Sequence, residues 1–289
     1  MADQALDLSA FRDVQRLAYQ CAETIAAELK PGMTEREVAA QMKDWLLARG
    51  VNDWFHQPFA WFGERTAFRG FVGFRHLGGF NPAFYPTWKR LEPGMAFILD
   101  VAPSLNGISA DIGYSGALGG NAIVDRIMDD LLDYRELILG MVRERRHLSE
   151  VSQAVDRLCA RQGYEPRHKA YPFEVLAHRV EMLKPDEKAH TSVMHFGLRN
   201  LTALGRDMLR GKREGWSPLW SSNAASDHPP TPGLWAVEPH LGFRGITGAK
   251  FEELLLVTKD GARWLDDDVP HVRRWMERGL WPVKKSQAA

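Results

Sequence analysis

The chain has 289 residues, 45% apolar and 26% charged, and its 37 basic and 37 acidic side chains balance to a formal net charge of zero. That composition suits a soluble globular protein with a sizeable core and offers no net basic excess for nucleic acid. No apolar run approaches the ~18 residues of a membrane span, and two cysteines are too few for a disulfide framework or a Cys-based zinc site. Cys21 and Cys159 sit in apolar helical patterns and read as buried free thiols in a reducing compartment. The N-terminus lacks the basic stretch and apolar core of a signal peptide, so a cytoplasmic location is expected.

In chain order, residues 9–29 carry Phe11, Val14, Leu17, Cys21 and Ile25 on one helical stripe, with Ser9 as the expected N-cap. A second helix starts at Thr34, where Thr34 and Glu37 form a capping box, and ends at Gly50. From 53 to 93, aromatics, glycines and prolines crowd together and predict strands and loops. A strand over 95–101, an Asn106-Gly107 hairpin turn and a partner strand over 108–118 follow. Helices are expected over 123–145 and 149–162. The second of these repeats the Thr34 helix at one constant offset: Glu37-Val38 aligns with Glu150-Val151, and Gly50 with Gly163. That pattern fits a duplicated helix-plus-strand half. Strands are expected over 174–180, 234–238 and 250–258. Residues 183–232 are polar, partly helical and rich in Ser, Pro and Asp towards their end, and read as an insertion. One domain over 1–283 with a disordered tail at 284–289 is the expected organisation.

Asp100 closes the apolar strand AFILD, and Asp111 opens the strand after the Asn-Gly turn. A hairpin centred on that turn makes the two carboxylates near neighbours. They repel unless one points to solvent or a cation lies between them, and a divalent metal is the simplest compensation. Glu238 ends the strand LWAVE, and Glu252 sits in AKFEELLLV, each at a strand that should be half buried. Buried carboxylates need partners.

The order Asp, Asp, His, Glu, Glu in these local contexts resembles the creatinase, prolidase and methionine aminopeptidase superfamily of pita-bread metallopeptidases. LEPGMAFILD, ending at Asp100, is similar to the family's L-x-P-G-D-x-hydrophobic-D. NGISADI, containing Asp111, is similar to G-Y-x-A-D-x-T-R. PGLWAVEP, containing Glu238, is similar to P-G-M-x-x-T-V-E-P, with Ala236 at the usual threonine. GAKFEELLLVTKDG, containing Glu252, is similar to G-V-R-I-E-D-x-V-L-V-T-x-D-G. Upstream, LKPGMTE from Leu29 and WFGERT from Trp61 resemble the first helix joint and the F-G-x-N-T strand.

The resemblance spans roughly residues 10–266. It implies an α+β pita-bread fold, a pseudo-twofold curved antiparallel sheet covered by helices. Asp100, Asp111, His178, Glu238 and Glu252 would hold one or two divalent ions, Mn, Co, Fe or Zn. His178 takes the histidine position of G-H-G-I-G, whose glycines are replaced here. A rival register puts Tyr171 at the ligand and His178 at the family's second histidine. The upstream catalytic histidine belongs before the first Asp strand, where His76 falls, and His190, His195 and His240 are alternatives for the downstream one.

By resemblance a metal-bridged hydroxide attacks the substrate, and Glu238 is the catalytic proton shuttle. The implied activity is a metal-dependent hydrolase of a C–N bond, aminopeptidase or Xaa-Pro peptidase in type, acting on a small peptide or small molecule as an isolated catalytic domain. Homodimers follow by family analogy. Departures at the histidines and the 183–232 segment keep open a lyase or other small-molecule chemistry. A non-catalytic binding relative is opposed by four well-placed carboxylates. Trp54, Phe55, Trp61, Phe62, Trp216, Trp220 and Trp235 are offered as either pocket lining or core.

Overall fold

The computed structural model describes residues 7–70, 72–74, 80–186, 188 and 190–281. Helix α1 runs Leu8–Glu28. Its cap is Asp7, not Ser9: the Asp7 carboxylate accepts from the Ala10 N–H, and Ser9 is already helical. Helix α2 runs Glu35–Leu47 with the expected box, Glu37 N–H donating to Thr34 Oγ1 and Thr34 N–H to Glu37 Oε2. Helices α3 (Ala122–Arg143) and α4 (Leu148–Gln162) begin the second half. At α4 the box returns with His147 and Glu150, and Gly163 ends the helix at φ +76°, as Gly50 follows α2 at φ +88°. The sequence duplication is therefore a duplication of helix pairs, each ending where only a glycine adopts the left-handed turn at low cost.

Each helix pair covers three antiparallel strands whose spatial order is their chain order. In the first half these are Asp53–Phe62, Ala96–Leu105 and Ile112–Ala117. In the second they are Ala177–Val180, Gly233–Val237 and Glu253–Val257. The Asn106-Gly107 turn has both residues at positive φ, as a two-residue hairpin needs. Its register holds from Leu105↔Ile108 to Ala96↔Ala117. The strand expected over 108–118 is nevertheless interrupted at Ala110-Asp111, and that expected over 250–258 at Phe251-Glu252. The strand expected from Glu174 starts at Ala177, because residues 172–174 form a short turn.

The two halves meet where Gly113 bridges to Glu252. Beside that bridge, Ser115 Oγ donates to the Lys250 carbonyl at 2.7 Å and accepts from the Lys250 N–H at 2.9 Å. Residues 183–232 supply short strands to both sheets, Phe196–Gly197 against the Asp53–Phe62 strand and Leu219–Trp220 against Ala177–Val180. They also supply helix α5, Leu198–Glu214. Helix α6, Pro270–Glu277, closes the chain onto α3. Cys21 and Cys159 are buried free thiols, as read, and burial pushes both up to about 12. No helix among the described residues is long and apolar enough to cross a membrane.

Candidate metal centre

The pseudo-twofold brings one residue of each kind from equivalent strands. The first strand of each half carries a histidine, His56 and His178. The middle strand carries or ends at an acid, Asp100 and Glu238. The acid before the third strand stands at its break, Asp111 and Glu252. All five residues predicted as ligands are buried around one point, so the structure brings the set together. His178 Nε2 lies 3.2 Å from Asp111 Oδ2 and 3.8 Å from Glu252 Oε1. Tyr171, the rival, instead bonds His240 Nδ1 through its hydroxyl at 2.7 Å.

Two members of the cluster were not singled out from sequence. His56 Nε2 lies 3.1 Å from Asp111 Oδ1 and 3.2 Å from Asp100 Oδ1. The pairing of its strand with Ala96–Leu105 slips between Trp54 and His56 and again between His56 and Phe59. Such bulges re-aim a side chain and spoil the period-two pattern by which a strand face is read. The second is Lys250, whose Nζ donates to Asp100 Oδ2 at 2.8 Å and to Glu238 Oε2 and Glu252 Oε2 at 2.9 Å each. Its only sequence signal is its place at the arginine of the G-V-R-I-E-D pattern.

Other histidines have partners elsewhere. His240 is clamped between the Tyr171 hydroxyl and the Thr66 carbonyl, and burial depresses it to about 3. His190 faces Asp186 and Arg199, and His195 packs on the Tyr85 ring. His76 lies outside the described residues.

Backbone carbonyls fix both cage imidazoles. His56 Nδ1 faces the Gln57 carbonyl at 2.9 Å and His178 Nδ1 the Arg179 carbonyl at 3.3 Å. Each carbonyl accepts from Nδ1–H, which leaves Nε2 directed at the carboxylates. Phe55 stacks on the His178 ring at 4.6 Å and Phe59 on the His56 ring at 4.8 Å.

Burial works against every charge here, and the partners decide the outcome. It would raise Asp111, but His56 and His178 hold that carboxyl below its usual range. It would raise Asp100, but Lys250 and His56 bring it down. Glu252 stays well above the usual range, driven by burial and then by Asp111 and Glu238. Burial also raises Glu238, only partly offset by Lys250. The Lys250 ammonium is disfavoured by burial, and Asp100, Glu238 and Glu252 more than compensate.

These residues fit a divalent ion. Three of the four buried carboxylates share one lysine, and Asp100 Oδ1 and Glu252 Oε1 are buried with no hydrogen-bond partner. Two triads place one donor atom each within 4.8 Å of one another: His56, Asp100 and Asp111, and Asp111, His178 and Glu252. Carboxylate oxygen with imidazole nitrogen suits first-row transition ions.

A cavity of about 310 Å³ opens onto the cluster, walled by aromatic and aliphatic side chains including Phe59, Trp61, Phe68, Phe84 and Phe196. Of the aromatic residues noted in the sequence, Phe55 and Trp61 line it. Trp54, Phe62, Trp220 and Trp235 are core, the last two with ring centroids 5.1 Å apart. Trp216 packs under the Arg179 guanidinium.

A profile described as metallopeptidase family M24 matches residues 9–259. Among solved structures, the chain is similar to an X-Pro aminopeptidase from Thermotoga maritima MSB8, at 16% identity and TM-score 0.63, over 90% of this chain and 60% of that one. It is similar to a prolidase from Pyrococcus furiosus, at 18% identity and TM-score 0.62, over 88% of this chain and 62% of that one. It is also similar to a methionine aminopeptidase from Rickettsia prowazekii, at 16% identity and TM-score 0.58, over 90% of this chain and 96% of that one. The chain thus spans about three fifths of the length of the first two and nearly all of the third. A search of curated proteins finds no sequence match. The expected fold, duplicated antiparallel sheet under helices, is the fold of these structures.

Proposed function

The chain belongs to metallopeptidase family M24, and from that premise we propose that it is a metal-dependent hydrolase cleaving a C–N bond in a small substrate with an apolar end. The observation that carries the reading is the aromatic cavity opening directly onto the carboxylate and histidine cluster. Asp100, Asp111, His178, Glu238 and Glu252 would hold one or two divalent ions, of Mn, Co, Fe or Zn type. A bound ion supplies Lewis acidity toward the substrate carbonyl and toward water.

The chain's own groups do the rest. Glu238 lines the cavity and is raised by burial, so one of its oxygens takes a proton from the nucleophile and returns it to the leaving nitrogen. Phe59, Trp61 and Phe196 orient the apolar side chain and exclude water. Among the described residues, no lysine or arginine lines the cavity. A substrate with a free carboxylate beside the scissile bond therefore finds no lysine or arginine among the described lining residues to hold it. That favours an aminopeptidase-type or Xaa-Pro substrate extended or blocked beyond the bond over a free dipeptide.

The test is a substrate panel assayed with Mn- or Co-loaded protein. Apolar aminoacyl amides and Xaa-Pro tripeptides should exceed free Xaa-Pro dipeptides at least tenfold in kcat/KM, which corresponds to about 1.4 kcal/mol. Equal rates would remove the cavity argument.

A second reading, non-peptidase chemistry on a small molecule, is favoured by one observation. Phe196, Leu201, Leu204 and Leu219 of the 183–232 segment form part of the cavity wall. Metal-loaded protein inert to every peptide in the panel would select it.

A further inference from the structure

Lys250 is built into the cage rather than resting near it. All three N–H donors of its ammonium are used on carboxylate oxygens, at 2.8, 2.9 and 2.9 Å, and the residue is 2% exposed. Its backbone is fixed from both sides by Ser115 Oγ. Its stem runs across Gly113: a Cβ built there would stand 2.5 Å from Lys250 Cε and 3.1 Å from Cδ and Cγ. No side chain fits at 113 while the lysine keeps this path. The family pattern quoted above carries threonine at the position of Gly113 and arginine at that of Lys250. The two departures touch each other, and together they make the route by which a lysine reaches the carboxylates.

The ammonium divides the oxygens unequally. It takes Asp100 Oδ2, Glu238 Oε2 and Glu252 Oε2. The other Asp100 oxygen faces His56 Nε2 at 3.2 Å. That oxygen has no hydrogen-bond partner, and neither has Glu252 Oε1. Asp111 Oδ2, His178 Nε2 and Glu252 Oε1 form one group of donor atoms, and His56, Asp100 and Asp111 form the other.

We propose that Lys250, admitted by Gly113, stands in for one of two cations, so that this chain holds a single divalent ion. The inference rests on the metal-dependent reading above. Charge supports it, because the ammonium already bonds Asp100, Glu238 and Glu252 at 2.8, 2.9 and 2.9 Å, and two divalent ions would have to share those carboxylates with a buried positive charge in a low-dielectric site.

The experiment counts Mn²⁺ per chain by elemental analysis after loading and desalting, with electron paramagnetic resonance on the same samples. Wild type should bind one ion and give the signal of an isolated Mn²⁺. Lys250→Met should bind two and give the broadened signal of a coupled pair. Gly113→Thr, which keeps the lysine but blocks its path, should move in the same direction and serves if Lys250→Met does not fold. Two ions in wild type would overturn the inference and leave the metal-dependent reading intact. One ion in wild type and in both variants would also overturn it, since the lysine would not be what closes the second position. No ion in wild type at any loading would overturn the metal-dependent reading and the inference with it.

Discussion

The two halves of the molecule each place one histidine and two acids at equivalent points of equivalent strands, and they differ in the length of the acids and in one lysine. The first half supplies His56 with two aspartates, Asp100 and Asp111; the second supplies His178 with two glutamates, Glu238 and Glu252. The second half also supplies Lys250, and the first leaves room for it at Gly113. Strand order alone therefore builds a convergent pocket at the join. The chemistry is decided where the halves depart from each other. Asp111 belongs to both sides: Oδ1 faces His56 and Oδ2 faces His178.

That sharing yields the largest expected effect. Asp111→Asn keeps the size of the side chain and removes the charge that both histidines face. Metal affinity should fall by more than about 100-fold, beyond the range for losing an outer partner of a ligand, and hydrolytic activity should become undetectable. Isothermal titration with Mn²⁺ or Co²⁺ checks it. Unchanged affinity would mean that the halves do not meet on this carboxylate.

The halves also bury carboxylates outside the cage, and Glu35 and Glu253, both fully buried, are satisfied differently. Glu35 in the first half accepts from the Phe62 and Thr87 N–H groups, the Thr87 hydroxyl and Arg65. Glu253 in the second is held by side chains, Arg135 Nε at 2.6 Å and His271 at 2.9 Å, and is fully buried. Arg135→Met should therefore destabilise by about 3–5 kcal/mol, the effect of stranding a buried charge. Arg65→Met, which leaves the backbone donors in place, should cost about 1.5–3 kcal/mol. Urea denaturation of both variants compares them, and equal losses would show that the backbone donors do not matter.

Much of this was legible in the sequence, and the reasons are local. The Asn106-Gly107 turn fixes a register, so the sequence alone places Asp100 and Asp111 close together. Glu238 and Glu252 sit in long motifs that resemble the family, and the Thr34–Glu37 box announces α2 by its own chemistry. His56 was hidden because strand reading assumes alternation, and the Phe55–Pro58 stretch breaks it twice. Lys250 was hidden because a lone lysine between Ala249 and Phe251 carries no ligand signal, and its burial comes from Ser115 and Gly113, more than 130 residues away.

The missed histidine gives the next comparison. His178→Ala should lower metal affinity more than His56→Ala, for which a loss of about 10-fold is expected if it acts through Asp111. Equal losses would make the two imidazoles equivalent and restore a symmetric cage.

The smallest effect lies just outside the cage, where the second half has an acidic pair without an equivalent in the first. Glu181 is raised to about 7 by burial and by nearby Asp207, partly offset by Arg179 and Arg206. The unfolded chain releases that proton near pH 4.3. The folded state therefore holds a proton the unfolded state lacks between those values. The stability it contributes is fully present below about pH 4.3 and is lost as pH rises through about 7. Glu181→Gln keeps a donor toward Asp207 and removes the charge that forms above pH 7. Its Tm should exceed that of wild type by a few degrees at pH 8.5 and match it at pH 5, because partial exposure of the pair screens the effect. Thermal melts at the two pH values read the difference directly. An offset that is the same at both would assign the change to packing rather than to the shared proton.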